Sequence, residues 1–231
     1  MIVRERPGSY VLIKQHDHGL ISGEFARHLT ERPRPLEPTL YAIANHDTSW
    51  QGLDAFVLWN EESGRPYSFA DYPRRPKLRA YKEGLDFLEA RNPYAACLCS
   101  IHYVAFVSGS RNETEVRFRE GEAGRQRRIA SLMTEEESRN LGRNSRLLRL
   151  CDNLSLFVCL NEPGRNDHPW YQSGFAFEGR KFEPVWEDRS TLRFHPNPFS
   201  EPFDFAVPYS LVEKGSRKSV GSNRLELRVT C

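Results

Sequence analysis

His18, the adjacent pair His46-Asp47 and the distant Asp152 are the residues of this chain best suited to chemistry. A histidine, then His-Asp, then a lone aspartate offers imidazole nitrogens and carboxylate oxygens together. That donor set suits borderline divalent metals. A metal held this way lowers the pKa of water towards neutrality and so makes a nucleophile. A His-Asp dipeptide arises by chance in many proteins, so the weight lies in the helical setting of all four residues.

The elements that must position them can be read from periodicity. His18 shares a helical stripe with Ile21, Phe25 and Leu29, on a helix expected to start near Asp17 and to end at Pro33 and Pro35. A second helix is expected from near Pro38, a favourable first-turn residue. Leu36, Leu40, Ile43 and Asp47 form its stripe, with Thr39, Ile43 and His46 beside it. Trp50 and Asp54 follow His46 at steps of four. If the helix continues, they flank the same site, Trp50 as an aromatic wall and Asp54 orienting a ligand histidine. Asp152 is a charge inside the apolar stripe of Leu141, Leu148, Leu156 and Cys159. The capping box Thr134-x-x-Glu137 opens this longest helix and Asn161-Glu162-Pro163-Gly164 ends it.

Burying an unpaired carboxylate is costly, so Asp47 and Asp152 each need a partner. One shared metal satisfies all four residues at once. The separate explanations are that Asp152 pairs with Arg149 or Arg146 and that His46 caps a helix end.

Elsewhere, residues 10–13 read as a short strand or a helix lead-in, and residues 60–76 as a loop. Leu78, Tyr81, Leu85 and Leu88 mark a third helix, stopped at Asn92-Pro93. A fourth, from about Tyr94 to Val107, is apolar on nearly all sides and carries His102. Residues 108–124 are polar and read as a loop or weak hairpin, with a further helix from Arg125 to Met133. Beyond residue 164, period-two runs such as Phe203-Asp-Phe205-Ala-Val207 read as antiparallel strands. The expected architecture is a single domain over residues 1–231, mainly α, with a helical bundle over 10–163. A small C-terminal antiparallel sheet over 164–231 packs on it, since about 60 residues are marginal alone.

The 231 residues carry 33 Lys+Arg against 31 Asp+Glu, a net charge of +2, so bulk electrostatics gives no reason to expect nucleic acid. Two basic runs, Pro73 to Arg79 and Arg125 to Arg128, are solvated surface or approach an anionic substrate. Five cysteines without a Cys-x-x-Cys argue against disulfides and zinc-thiolate sites. Four of them lie in apolar stretches, which favours a reducing cytoplasm. The N-terminal residues lack the apolar core of a signal peptide, and no membrane span is expected.

The order H…HD…D on helices resembles the HD-domain superfamily of metal-dependent phosphohydrolases. Several segments resemble more closely the family labelled DUF3891, across roughly residues 10–160, and a trailing β region also fits that family. They are residues 15–23, Ala42 to Asp47 with Trp50 and Asp54, Ser100-Ile101-His102, and Leu150 to Leu156. The resemblance implies His18, His46, Asp47 and Asp152 as ligands of one divalent ion, whether Mn, Fe, Zn, Co, Ni or Mg. It implies hydrolysis of a phosphoester, nucleotide-like in character, with a small phosphorylated molecule as partner. The alternatives are an HD-type non-haem iron oxygenase and a non-catalytic metal- or ligand-binding protein. The di-iron oxygenase pattern has two histidines between the HD pair and the last aspartate, where this chain has only His102.

His102 is therefore expected at the substrate or in proton transfer, with a hydrogen-bonded core histidine as the plain alternative. His16 competes with His18 but falls off the stripe. Glu24 or Asp17 is a candidate general acid/base, and Arg75, Arg79 and Lys82 are candidates for contacting phosphate. Trp170, His168 and His195 are assigned to the β region.

Overall fold

The computed structural model describes residues 1–231. The chain opens on a hairpin of β1 (Ile2–Arg6) and β2 (Ser9–Ile13), turned at Gly8 with φ 75°. Helices α1 (Gln15–His28) and α2 (Leu36–Asn45) follow, then 3-10 turns over Thr48–Trp50 and Leu53–Ala55. A short ladder of β3 (Trp59–Asn60) and β4 (Arg65–Pro66) leads to α3 (Arg74–Glu89), α4 (Pro93–Phe106), α5 (Glu113–Ala130) and α6 (Glu135–Leu160). The chain finishes with β5 (Phe175–Phe177), β6 (Arg180–Trp186), β7 (Thr191–His195), β8 (Phe203–Glu213) and β9 (Ser219–Thr230).

Seven strands form one curled sheet in the order β1-β2-β8-β9-β7-β6-β5. It is mixed, because β7 and β9 run parallel while the other neighbours are antiparallel. This corrects the expectation of a mainly α bundle with a small C-terminal antiparallel sheet. The fold is α/β, and its sheet takes two strands from the N-terminus. The physical reason lies in β2. Tyr10 to Ile13 are all buried, so the strand reads as a continuous apolar run that periodicity cannot assign. It pairs with β8, Tyr10 opposite Val212, and so joins the two ends of the chain in one sheet.

A second correction concerns residues 108–124, most of which lie in α5. Asn112 caps this helix by accepting from the Thr114 N–H at 3.1 Å. Glu113 pairs with Arg117 one turn on. Only Glu122, Arg125 and Ile129 are buried, so the apolar periodicity of an amphipathic helix is missing.

One cluster of 44 buried residues runs through helices and sheet. Phe25 of α1 is fully buried, with its ring centroid 5.3–6.3 Å from those of Phe194, Phe199, Phe203 and Phe205. Burial of such a ring is worth roughly 1.5–3 kcal/mol. The sheet thus grips one side of α1. On another side, Gly19 and Gly23 admit α2. A Cβ on Gly23 would lie 2.7 Å from the Ala44 Cβ, and one on Gly19 would lie 3.7 Å from the His46 ring. α6 starts at a complete capping box, the Thr134 N–H donating to Glu137 at 2.8 Å. No helix is long and apolar enough to cross a membrane.

Candidate metal centre

Three helical segments converge beneath one cavity. α1 supplies His18, the end of α2 supplies His46 and Asp47, and α6 supplies Asp152. α2 stops at Asn45, so His46 caps it and Asp47 leads into the first 3-10 turn. That break points both side chains inward, whereas a continued helix would spread them by about 100°. The His18 and His46 rings meet edge to face, centroids 5.2 Å apart. His18 Nε2 lies 2.9 Å from Asp152 Oδ1 and 3.8 Å from Asp47 Oδ2. His46 Nε2 lies 3.4 Å and 3.7 Å from the same two atoms. Donors about 2.1 Å from one ion sit about 3.0 Å apart at octahedral angles and about 3.4 Å apart at tetrahedral ones. His18, His46 and Asp152 form the tight set able to hold an ion, and Asp47 stands at the fourth corner.

The hydrogen bonds behind the rings fix their protons. Ser155 Oγ donates its single proton to the His18 carbonyl at 2.8 Å. His18 Nδ1 lies 2.7 Å from the same Oγ, so Nδ1 must be the donor there. His46 Nδ1 lies 2.7 Å from the Ile43 carbonyl, which only accepts. Both Nε2 atoms are left facing carboxylates, the arrangement in which a backing acceptor orients a metal-binding imidazole. His46 Nε2 is buried without a hydrogen bond. Gln15 holds the Asp47 carboxylate from behind, its Nε2 donating to Oδ2 at 3.0 Å.

The protons of these four residues are strongly coupled. Burial opposes charge on His46, but Asp47 and Asp152 outweigh it and raise its pKa to about 9. Asp152 is held below the carboxylate range: burial opposes this, and the hydrogen bond from His18 together with the nearby charge of His46 prevails. Asp47 moves up because burial outweighs the same histidines.

Above the centre lies a cavity of ≈ 840 Å³, onto which Asp47, His102 and Asp152 open. His18 and His46 are wholly covered below it. Trp50 forms part of the wall, edge-on to Tyr72 and Tyr81. His102 sits with Nε2 3.6 Å from Asp152 Oδ2, beyond hydrogen-bond distance. Burial pushes it down to about 3, so its ring is neutral at pH 7.

Other expected residues lie elsewhere. Glu24 pairs with Arg27 on the outer face of α1, and Asp17 shares a separate groove with it. Asp54 does not touch a ligand histidine. It accepts from the Gln15 backbone at 2.7 Å and pairs with the Met1 ammonium, reaching Asp47 only through Gln15. Arg79 and Lys82 turn outward to Glu83 and Asp86, each at 2.8 Å, and exposed Arg75 shares their stripe. The cavity face of α3 carries Arg74, Lys77 and Tyr81 instead, with Arg149 contributed by α6. His16 is half-buried and outside the cluster. The sequence gives no role to Gln15 or Ser155, places Lys77 only within the basic run from Pro73 to Arg79, and offers Arg149 only as a partner for Asp152, with which it forms no ion pair. Ser155 had a signal, standing one turn after Asp152 on the same buried stripe.

These features define a protein with a buried two-histidine, two-carboxylate centre at the meeting of helices that rest on a mixed sheet. The chain belongs to the family described as protein of unknown function DUF3891, whose model matches residues 1–214. The match takes in the first hairpin and the trailing strands through β8, and stops before β9. It supplies no link to the HD-domain superfamily. No curated protein and no solved structure matches the chain.

Proposed function

We propose that the protein is a metal-dependent phosphohydrolase, with His18, His46, Asp47 and Asp152 holding one divalent ion in an HD-type arrangement. The observation that carries this reading is the pair of Nδ1 donors. They leave two Nε2 atoms directed at two carboxylates under an open cavity. Two nitrogens and two oxygens suit Mn, Fe, Co, Ni or Zn better than Mg. A bound divalent ion supplies Lewis acidity, lowering the pKa of water and offsetting charge on phosphate.

The chain's own residues do the rest. Ser155 and the Ile43 carbonyl orient the imidazoles, and Gln15 fixes the Asp47 carboxylate. Trp50 and the tyrosines around it shape a wall that limits water. Neutral His102 presents a ring nitrogen to the substrate or to a proton in transfer.

The oxygenase alternative would place a second ion between His102 and Asp152 Oδ2. The neighbourhood offers it only those two protein ligands, which disfavours it. Turnover of p-nitrophenyl phosphate tests the proposal. Activity should require an added divalent ion, proceed without oxygen and vanish in Asp47→Ala. Oxygen consumption, or no turnover with any divalent ion, would contradict it.

A further inference from the structure

Two cations line the cavity above the metal centre with no carboxylate at ion-pair distance. Lys77 is half-buried in the first turn of α3 and lines this cavity. Its ammonium has three N–H groups. One donates to the Phe69 carbonyl at 3.3 Å, and no carboxylate comes within 4.0 Å. Arg74 beside it is neutralised by Glu115 at 2.9 Å. Asp71 is turned to the Ser68 backbone and hydroxyl, each at 2.7 Å. Arg149, across the cavity on α6, is exposed and forms no ion pair. Glu115 and Asp71 act on Lys77 only at longer range, so its two remaining N–H groups have no anionic acceptor in contact.

Two further observations point to an anion here. The first turn of α3 contains Arg74, Arg75 and Lys77 and no acidic residue. Cations at the positive end of a helix dipole repel it, and a bound anion reverses that. His102 opens onto the same cavity, is 94% buried by its 6% exposure, and makes no hydrogen bond. Its ring carries an N–H in either protonation state and has it to give.

We propose that Lys77 and Arg149 form a phosphate subsite in this cavity, and that the ligand it takes is a phosphate monoester dianion. This rests on the cavity being the substrate site. A monoester carries close to two negative charges at pH 7, since its second pKa is about 6. Two unpaired cations match that charge. A diester brings a single charge, and a triphosphate brings more than the pair can offset. The organic part faces the mouth, where Phe106 and Trp170 are each 57% exposed. Exposed rings at a cavity mouth offer apolar and stacking contact.

Calorimetric titration with inorganic phosphate tests the subsite, on protein with and without added Mn²⁺. Lys77→Met and Arg149→Met should each weaken binding by roughly tenfold, the loss of one charge-assisted hydrogen bond. Lys77→Arg should restore most of it, and Lys82→Met should change nothing. p-Nitrophenyl phosphate should compete better than bis(p-nitrophenyl) phosphate. Wild-type binding by Lys77→Met, no phosphate binding by wild type, or equal competition by the diester would overturn the proposal. Failure of the hydrolase reading would show separately, as absent Mn²⁺ uptake and turnover with Lys77-dependent phosphate binding intact.

Discussion

Replacing Ser155 with alanine should weaken the metal site without removing any ligand. Ser155 is fully buried, and its hydroxyl makes two bonds to one residue. It accepts from His18 Nδ1 at 2.7 Å and donates to the His18 carbonyl at 2.8 Å. Alanine leaves the ring N–H unpaired where water has no room, while the carbonyl keeps the Ser22 hydroxyl at 3.2 Å. Each unsatisfied group costs about 1–3 kcal/mol. With one group left unsatisfied, the stability loss should therefore fall at about 1–3 kcal/mol. The effect on the ion is separate. With its backing acceptor gone, His18 can turn or take the other tautomer, and such losses weaken metal binding about 10–100-fold. Competition against a chromophoric chelator measures this directly. Ser100→Ala is the control, because Ser100 is equally buried but donates to Glu122 at 2.8 Å, away from the centre. It should lower stability and spare metal affinity. Unchanged affinity in Ser155→Ala would refute the assignment of the His18 proton to Nδ1.

Four further outcomes are expected. His102→Ala should keep the ion but slow turnover, because His102 opens on the cavity without a first bond to the cluster; a fall from two ions to one would instead reveal a second metal site. In chelator-treated protein, the raised His46 pKa contributes stability that is full below 6.5 and lost as pH rises through about 9, so melting temperature should decline across that window. Mn²⁺ binding at pH 7 should accordingly release about one proton, seen as a buffer-dependent binding enthalpy. Gly23→Ala should destabilise by about 1–3 kcal/mol in denaturant, because its Cβ would stand 2.7 Å from that of Ala44.

The centre was more legible in the sequence than the fold around it. His18, His46, Asp47 and Asp152 stood out because each broke or closed an apolar helical stripe, and such positions face inward. The sheet was hidden for two reasons. β2 is buried on both faces, which erases the period-two signal, and its pairing with β8 joins residues some 200 apart. α5 was hidden because a surface helix with three buried residues has no apolar stripe to read. Which cations of α3 line the cavity depends on helix register. Arg75, Arg79 and Lys82 share one face of α3, but that face turns to solvent. Which face met the cavity depended on the packing of Leu78, Tyr81 and Leu85, and those residues placed Lys77 inside. Asp54 was assigned to a histidine by spacing alone, and the end of α2 at Asn45 cancelled that spacing.

Metal counting with anomalous scattering tests the central claim most directly. Purified wild-type protein, loaded with Mn²⁺ or Zn²⁺ and dialysed, should retain one ion per chain. The scattering peak should lie among His18 Nε2, His46 Nε2, Asp47 and Asp152, at about 2.0–2.3 Å from each donor. Asp152→Asn should lose the ion and keep its fold. Protein that refuses every divalent ion on soaking, or holds one at residues other than these four, would contradict the account.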